Sequence, residues 1–307
     1  MIDAVLLIAF GGPTRPEEIR PFLVNVTRGR GIPSERVEEV ARHYERIRGA
    51  SPLNELTFKQ AAALSARLER DGIALPVFVG MRNWHPYLTD TLREMTEKRC
   101  RRALGIILSS LQTEASWERY QENVAEARAK IGADAPEVVY AAPWFDHPRF
   151  IEAVADRARA ALESVPVAER PGTPLVFTAH SVAVAMAQGS PYVQQLTLAS
   201  RLVADRLGHG RWAVAYQSRS GNPREPWLEP DIGEVIRELA RDGVRDVVVV
   251  PIGFVSDHVE VLYDLDVEAS QIAEASGVGF HRARAVNDHP AFIAMLADLV
   301  KRGLAGG

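Results

Sequence analysis

The run Val247-Val248-Val249-Val250 sets the first constraint on the fold. Four β-branched apolar residues in a row show no alternation, so the strand they form is buried on both faces, as strands of parallel sheets are. Further apolar runs near 4–10, 76–80, 103–109, 136–140, 175–179 and 212–216 read as the other strands. Helical segments are expected between them, near 34–48, 57–71, from 87, 147–163, 189–208 and from 231, with a last one at 290–302. Strands alternating with helices imply an α/β fold with parallel sheets flanked by helices. The polar, proline-rich stretch 166–174 reads as a linker. It divides the chain into an N-terminal domain over 1–165 and a C-terminal domain over 166–307, with the helix at 290–302 free to pack back on the first. The second half restarts the pattern of the first: Leu6-Leu7-Ile8-Ala9-Phe10-Gly11-Gly12 against Leu175-Val176-Phe177-Thr178-Ala179-His180-Ser181. A structural duplication is expected, with an active-site cleft between the two domains at their strand ends.

Composition excludes several function classes. A net charge of −4 gives no general electrostatic basis for a nucleic-acid partner. No apolar run approaches the roughly 20 residues of a membrane span, and Asp3 stands directly before the first apolar run, which is too short and lacks the basic start of a signal peptide. Cys100 is the only cysteine, so there is no internal disulfide, no thiolate-rich zinc site and no four-cysteine iron–sulfur cluster. A cytoplasmic location is the default expectation. The turn Phe10-Gly11-Gly12-Pro13 allows close backbone approach to a ligand, but it is not G-x-G-x-x-G, and no nucleotide is expected.

The stretch after the valine run carries the densest chemistry. Asp257 stands where an N-cap belongs, with Glu260 three residues on. On the helix that follows, Glu260, Asp264 and Glu268 recur every four residues and form one acidic line, joined nearby by Asp266. Like charges at this spacing cost a helix about 0.2–0.5 kcal/mol per pair. Carboxylates at the carboxyl end of a strand suit a hard or divalent cation. A capping box and a solvated face are the plain alternative. His180 ends the fifth strand, on the same edge of the same sheet as Glu260, so an imidazole and a carboxylate are expected to meet there as metal ligands or proton acceptors; a core histidine bonded to backbone is the plain alternative for His180. His258 is expected in support; His85, His147 and His289 read as turn residues. The basic loop with Arg28 and Arg30 suits carboxylate recognition as well as it suits plain solvation.

Blocks along nearly the whole chain resemble one family. They are Ala9–Pro13, Asn25–Pro33, Gly49–Asn54, Met81–Trp84, Thr178–Ser181, Tyr216–Arg219, Pro226–Asp231 and Gly253–Asp264. In this order they resemble the ferrochelatases, and most closely the Gram-positive-type coproporphyrin ferrochelatases. The resemblance implies two Rossmann-like domains with a porphyrin in the cleft between them, and Fe2+ as a substrate. It places the paired metal ligands on His180 and Glu260, an inward acidic line on Glu260, Asp264 and Glu268, and porphyrin contacts on Ser51 and Tyr120, with Phe10 close to the metal but unable to ligate. Arg28 and Arg30, with Arg48, are candidates for the propionates. Coproporphyrin III is the favoured substrate; the alternatives are protoporphyrin IX, another tetrapyrrole or metal such as cobalt, and a non-catalytic porphyrin or haem carrier. The sequence departs from the family in two places. Ala183 replaces the proline of His-Ser-x-Pro, which should relax the turn behind His180. Leu111-Gln112-Thr113-Glu114 replaces an aromatic-rich loop. Oligomeric state is not readable.

Overall fold

The computed structural model describes residues 1–29, 33–47, 49–220 and 225–306. Eight strands form two parallel four-stranded sheets. The first contains β1 (Ala4–Ala9), β2 (Val77–Met81), β3 (Arg102–Ile107) and β4 (Glu137–Tyr140), in the order β2-β1-β3-β4. The second contains β5 (Leu175–His180), β6 (Trp212–Gln217), β7 (Asp246–Val250) and β8 (Gly279–Arg282), in the order β6-β5-β7-β8. The two orders are the same pattern. In each, the first strand in sequence is central, the second lies on one side and the third on the other, so the winding direction reverses beside the first strand. That reversal point is where open α/β sheets bind ligands, outside the carboxyl ends of the strands.

Helices α1 (Ile19–Thr27), α2 (Ser34–Arg46), α3 (Leu53–Arg70), α4 (Leu88–Glu97) and α5 (Arg119–Ile131) accompany the first sheet. Helices α6 (Pro148–Glu163), α7 (Val184–Gln188), α8 (Tyr192–Leu207), α9 (Ile232–Arg241), α10 (Val259–Leu262) and α11 (Ser270–Ala275) accompany the second, and α12 (Pro290–Gly306) closes the chain. Local chemistry sets several of their ends. Pro148 opens α6, and the His147 ring caps it by accepting from the Arg149 amide. Asp231 and Glu234 form a capping box on α9. Gly208, in the left-handed region, ends α8.

The described residues group into two compact units. The first comprises Met1–Ser109, Ala115–Ala142 and α12 from Ile293 onward; the second comprises Ser110–Glu114 and Pro143–Phe292. The segment 166–174 therefore lies inside the second unit rather than at its border. Arg170 ties it down by donating to the carbonyls of Val165 and Glu163. Each unit has its own core. Leu6, Ile8, Leu92, Ile107 and Val124 pack in the first, and Val176, Ile236, Val249, Val261 and Leu265 in the second. Each such side chain, fully buried, favours folding by about 1.5–3 kcal/mol.

Strand β8 is absent from the sequence reading. Gly279-Phe280-His281-Arg282 is four residues long, half-buried and polar, as an edge strand is, and it has neither the apolar run nor the alternation that marks the other seven.

Candidate active site

The second unit brings His180 and Glu260 together. His180 is the last residue of β5, and Glu260 follows β7, which pairs directly with β5. These two strands flank the reversal point of their sheet. His180 Nε2 lies 3.6 Å from Glu260 Oε1, an ion-pair distance rather than a hydrogen bond. Their side chains keep 28% and 40% of their exposure, so both still reach solvent.

The rest of the imidazole is fixed. Its Nδ1 faces the Ser181 carbonyl. A carbonyl only accepts, so Nδ1 carries the hydrogen and Nε2 presents a lone pair towards Glu260 when the ring is neutral. The Tyr192 hydroxyl donates to the His180 carbonyl at 2.8 Å, which holds the backbone end. On the other side the Gln217 amide donates to the Glu260 carbonyl at 2.7 Å. Gln217 is itself paired with His180 across β5 and β6.

Burial opposes charge on both partners. For His180, burial pulls the pKa down, but the Glu260 carboxylate and the Ser181 carbonyl outweigh it and the net direction is up. For Glu260, burial pushes up, but His180, and then His258, hold it at about 2. Each partner therefore favours the charged form of the other. A divalent cation in the gap would compete with a proton for Nε2. Two bonds of about 2.1 Å, as a first-row dication makes to imidazole and carboxylate, span 3.6 Å when bent at the metal. Among the described residues no cluster of three or more His, Cys, Asp or Glu side chains is arranged to hold a metal.

Asp264 continues the acidic line. Burial, followed by the Glu260 and Glu268 charges, pushes it up to about 7 against the opposing Ser218 hydroxyl, which donates to Asp264 Oδ2. Asp264 is half-buried and Glu268 exposed. The helix carrying them is not the continuous α-helix of the sequence reading. Helix α10 is one turn, followed by a π-helical stretch, Asp264–Ala269, in which the Glu268 amide reaches back to the Tyr263 carbonyl. Four residues overshoot a turn of α-helix and fall short of a π-turn, so the wider turn cancels the drift of the acidic line. The N-cap also differs. His258 caps α10, accepting from the Glu260 amide at 3.1 Å, while Asp257 is buried in a separate network. Asp257 and Glu260 therefore do not form a capping box.

The first unit gathers a different set. Phe10 follows β1 and is exposed; Tyr120, in the first turn of α5, is buried. The Arg82 guanidinium stands 6.0 Å from the Phe10 ring and 5.6 Å from the Tyr120 ring, within cation–π range of both. The sequence reading did not single out Arg82. The signal was the β1–β2 register: Ala9 pairs with Met81, so the next residues, Phe10 and Arg82, are neighbours. Ser51 is buried below this loop, its amide donating to the Pro13 carbonyl at 2.8 Å. Asn54 holds the Gly12 amide at 2.9 Å and donates to the His85 carbonyl at 3.0 Å. Arg28 caps the C-terminal end of α1 and is exposed. Arg30 and Arg48 lie outside the described residues.

Both departures from the family pattern are accommodated in the second unit. Ala183 has φ −56°, within the range a proline ring imposes, and it bridges to Trp227. The loop after β3 is held by Gln195, which accepts from the Gln112 amide at 2.9 Å and donates to the Gln112 side chain at 2.6 Å.

The sequence model of the ferrochelatase family matches residues 2–304. This chain belongs to the ferrochelatase family. It is 44% identical over 307 residues to the coproporphyrin III ferrochelatase of Mycolicibacterium smegmatis, covering 99% of this chain and 90% of that one. It is 43% identical over 303 residues to a ferrochelatase of Rhodopirellula baltica, covering 98% and 86%. Among solved structures, SirB from Bacillus subtilis with Fe3+ aligns over 98% of this chain and 95% of its own with a TM-score of 0.62. At 12% identity that likeness concerns the fold alone. No helix among the described residues is long and apolar enough to cross a membrane.

Proposed function

We propose that this ferrochelatase-family protein inserts Fe2+ into coproporphyrin III as a step of haem biosynthesis in the cytoplasm, without an iron–sulfur cluster or nucleotide. The observation that carries the reading is the partly exposed His180–Glu260 pair, 3.6 Å apart. Iron and porphyrin are both substrates, and the net reaction exchanges Fe2+ for the two inner N–H protons of the macrocycle. Bending the ring exposes those nitrogens, at a cost drawn from binding elsewhere on the macrocycle. Glu260 and His180 Nε2 receive the cation and then the protons it displaces. Asp264 and Glu268 continue the acidic line along which the cation is fed towards the pair.

Phe10, Tyr120 and Ser51 contact the macrocycle in this reading, and Arg82 meets its carboxylates with a planar fork. The names of the relatives in Mycolicibacterium smegmatis and Nocardia farcinica favour coproporphyrin III over protoporphyrin IX. Arg28, with Arg30, is the candidate for the additional propionates, and Arg28→Ala should lower the turnover ratio of coproporphyrin to protoporphyrin.

Anaerobic turnover with Fe2+ and each porphyrin side by side tests the reading. Metallation of coproporphyrin III, seen as loss of porphyrin fluorescence and growth of a haem-type absorption spectrum, is expected. A protein that binds either porphyrin tightly but leaves it metal-free is a carrier, and that result would overturn the proposal.

A further inference from the structure

Five carboxylates crowd residues 257–268, yet only some of them face the His180 gap. Asp257 and Asp266 are engaged elsewhere, and one side chain engages both. Arg282, at the end of β8, donates through Nη1 to Asp257 Oδ1 at 2.8 Å, and through Nε and Nη2 to both oxygens of Asp266, the latter at 2.8 Å. Its side chain keeps 13% of its exposure and that of Asp257 keeps 9%. Asp257 is locked further. Asn287, fully buried and in the left-handed region at φ +47°, exchanges two bonds with it: Asp257 amide to Asn287 Oδ1 at 2.9 Å, and Asn287 Nδ2 to Asp257 Oδ2 at 2.8 Å. The Ala285 amide adds a bond at 3.1 Å.

We propose that Arg282 is a positioning residue for the metal ligands, clamping the acidic segment at Asp257 and Asp266, on either side of Glu260 and Asp264. This rests on the reading of His180 and Glu260 as metal ligands. The geometry explains why an arginine is used. Its planar fork bonds two carboxylates from different turns at once, which a lysine point charge does not do with the same direction. The clamp brings one positive charge to Asp257 and Asp266, Arg284 adds a second at 3.7 Å from Asp257 Oδ2, and Glu260 and Asp264 are left to the cation. It also fixes the one-turn helix α10 from both ends. So short a helix lacks the internal hydrogen bonds to hold its own shape, and Glu260 rides on it.

Two variants separate this role from general support of the fold. Asp266→Asn cuts the outer arm while leaving the buried Asp257–Arg282 pair in place. Arg282→Lys keeps the charge and removes the fork. Co2+ alone serves as the probe, titrated by its ligand-field absorption at low and at high salt, with coproporphyrin affinity and Tm measured in parallel. Loosened ligand support should raise the Kd for Co2+ by about 10–100-fold, equally at both salt concentrations, with porphyrin affinity unchanged. A weakening that vanishes at high salt would be a screened charge effect and would overturn the clamp, as would wild-type Co2+ affinity in both folded variants. His180→Ala is the control. If it still binds Co2+ normally, the metal-ligand reading itself fails, whatever the clamp variants do.

Discussion

The two sheets share one strand order, yet the loops at their reversal points carry opposite chemistry. In the first unit the end of β1 presents an aromatic ring and two glycines, and the neighbouring strand adds a guanidinium lying over that ring and the Tyr120 ring. In the second unit the end of β5 presents an imidazole, and the segment after β7 adds a carboxylate opposite it. The topology fixes where ligand-facing residues can stand, and the side chains decide what they face. In the function proposed above, one set meets a flat macrocycle with anionic arms and the other a cation and the protons it displaces.

That division of labour predicts which substrate each variant will affect. The largest effect is expected at His180→Ala, which should lower insertion about 10²–10⁴-fold, the range for losing a positioned proton acceptor, with coproporphyrin affinity retained. Arg82→Leu should do the reverse. Loss of a charge-assisted bond worth about 1.5–3 kcal/mol should raise the porphyrin KM roughly tenfold or more, leaving the KM for Fe2+ in place. An equal rise in both constants would erase the distinction between the two loops. Next come the glycines. A Cβ on Gly253 would stand 2.5 Å from Ala179 Cβ and 2.7 Å from its Cα, directly behind His180. Gly253→Ala should therefore cost about 1–3 kcal/mol in denaturant unfolding and also slow insertion. On Gly12 the added Cβ would meet Ser51 Cβ at 3.1 Å, a neighbour able to give by a few tenths of an ångström, so Gly12→Ala should be milder. The smallest effect is a gain. Ala183 already holds a proline-compatible φ, so Ala183→Pro should stabilise by about 0.4–1 kcal/mol through the unfolded chain, visible as a small rise in Tm.

The sequence makes one of these loops easier to read than the other. His180 and Glu260 each follow an apolar strand, so pattern alone carries both to one sheet edge. Arg82 is invisible that way, because its meaning comes from a cross-strand register that places it beside Phe10. Asp257 shows the opposite failure. Its spacing to Glu260 imitates a capping box, but the Asn287 side chain and Arg282, close in space and distant in sequence, claim it instead. The π-turn at Asp264–Ala269 leaves no trace in composition; only the backbone bond from the Glu268 amide to the Tyr263 carbonyl reveals it. Strand β8 escapes because an edge strand of four half-buried residues need not be apolar.

X-ray absorption at the metal edge of the protein loaded with one equivalent of Co2+ addresses the metal end most directly. Imidazole scattering should appear in the wild type and in Arg82→Leu, and should disappear in His180→Ala. An unchanged imidazole signal in His180→Ala would mean that the cation binds elsewhere, and the second sheet's reversal point would lose its role.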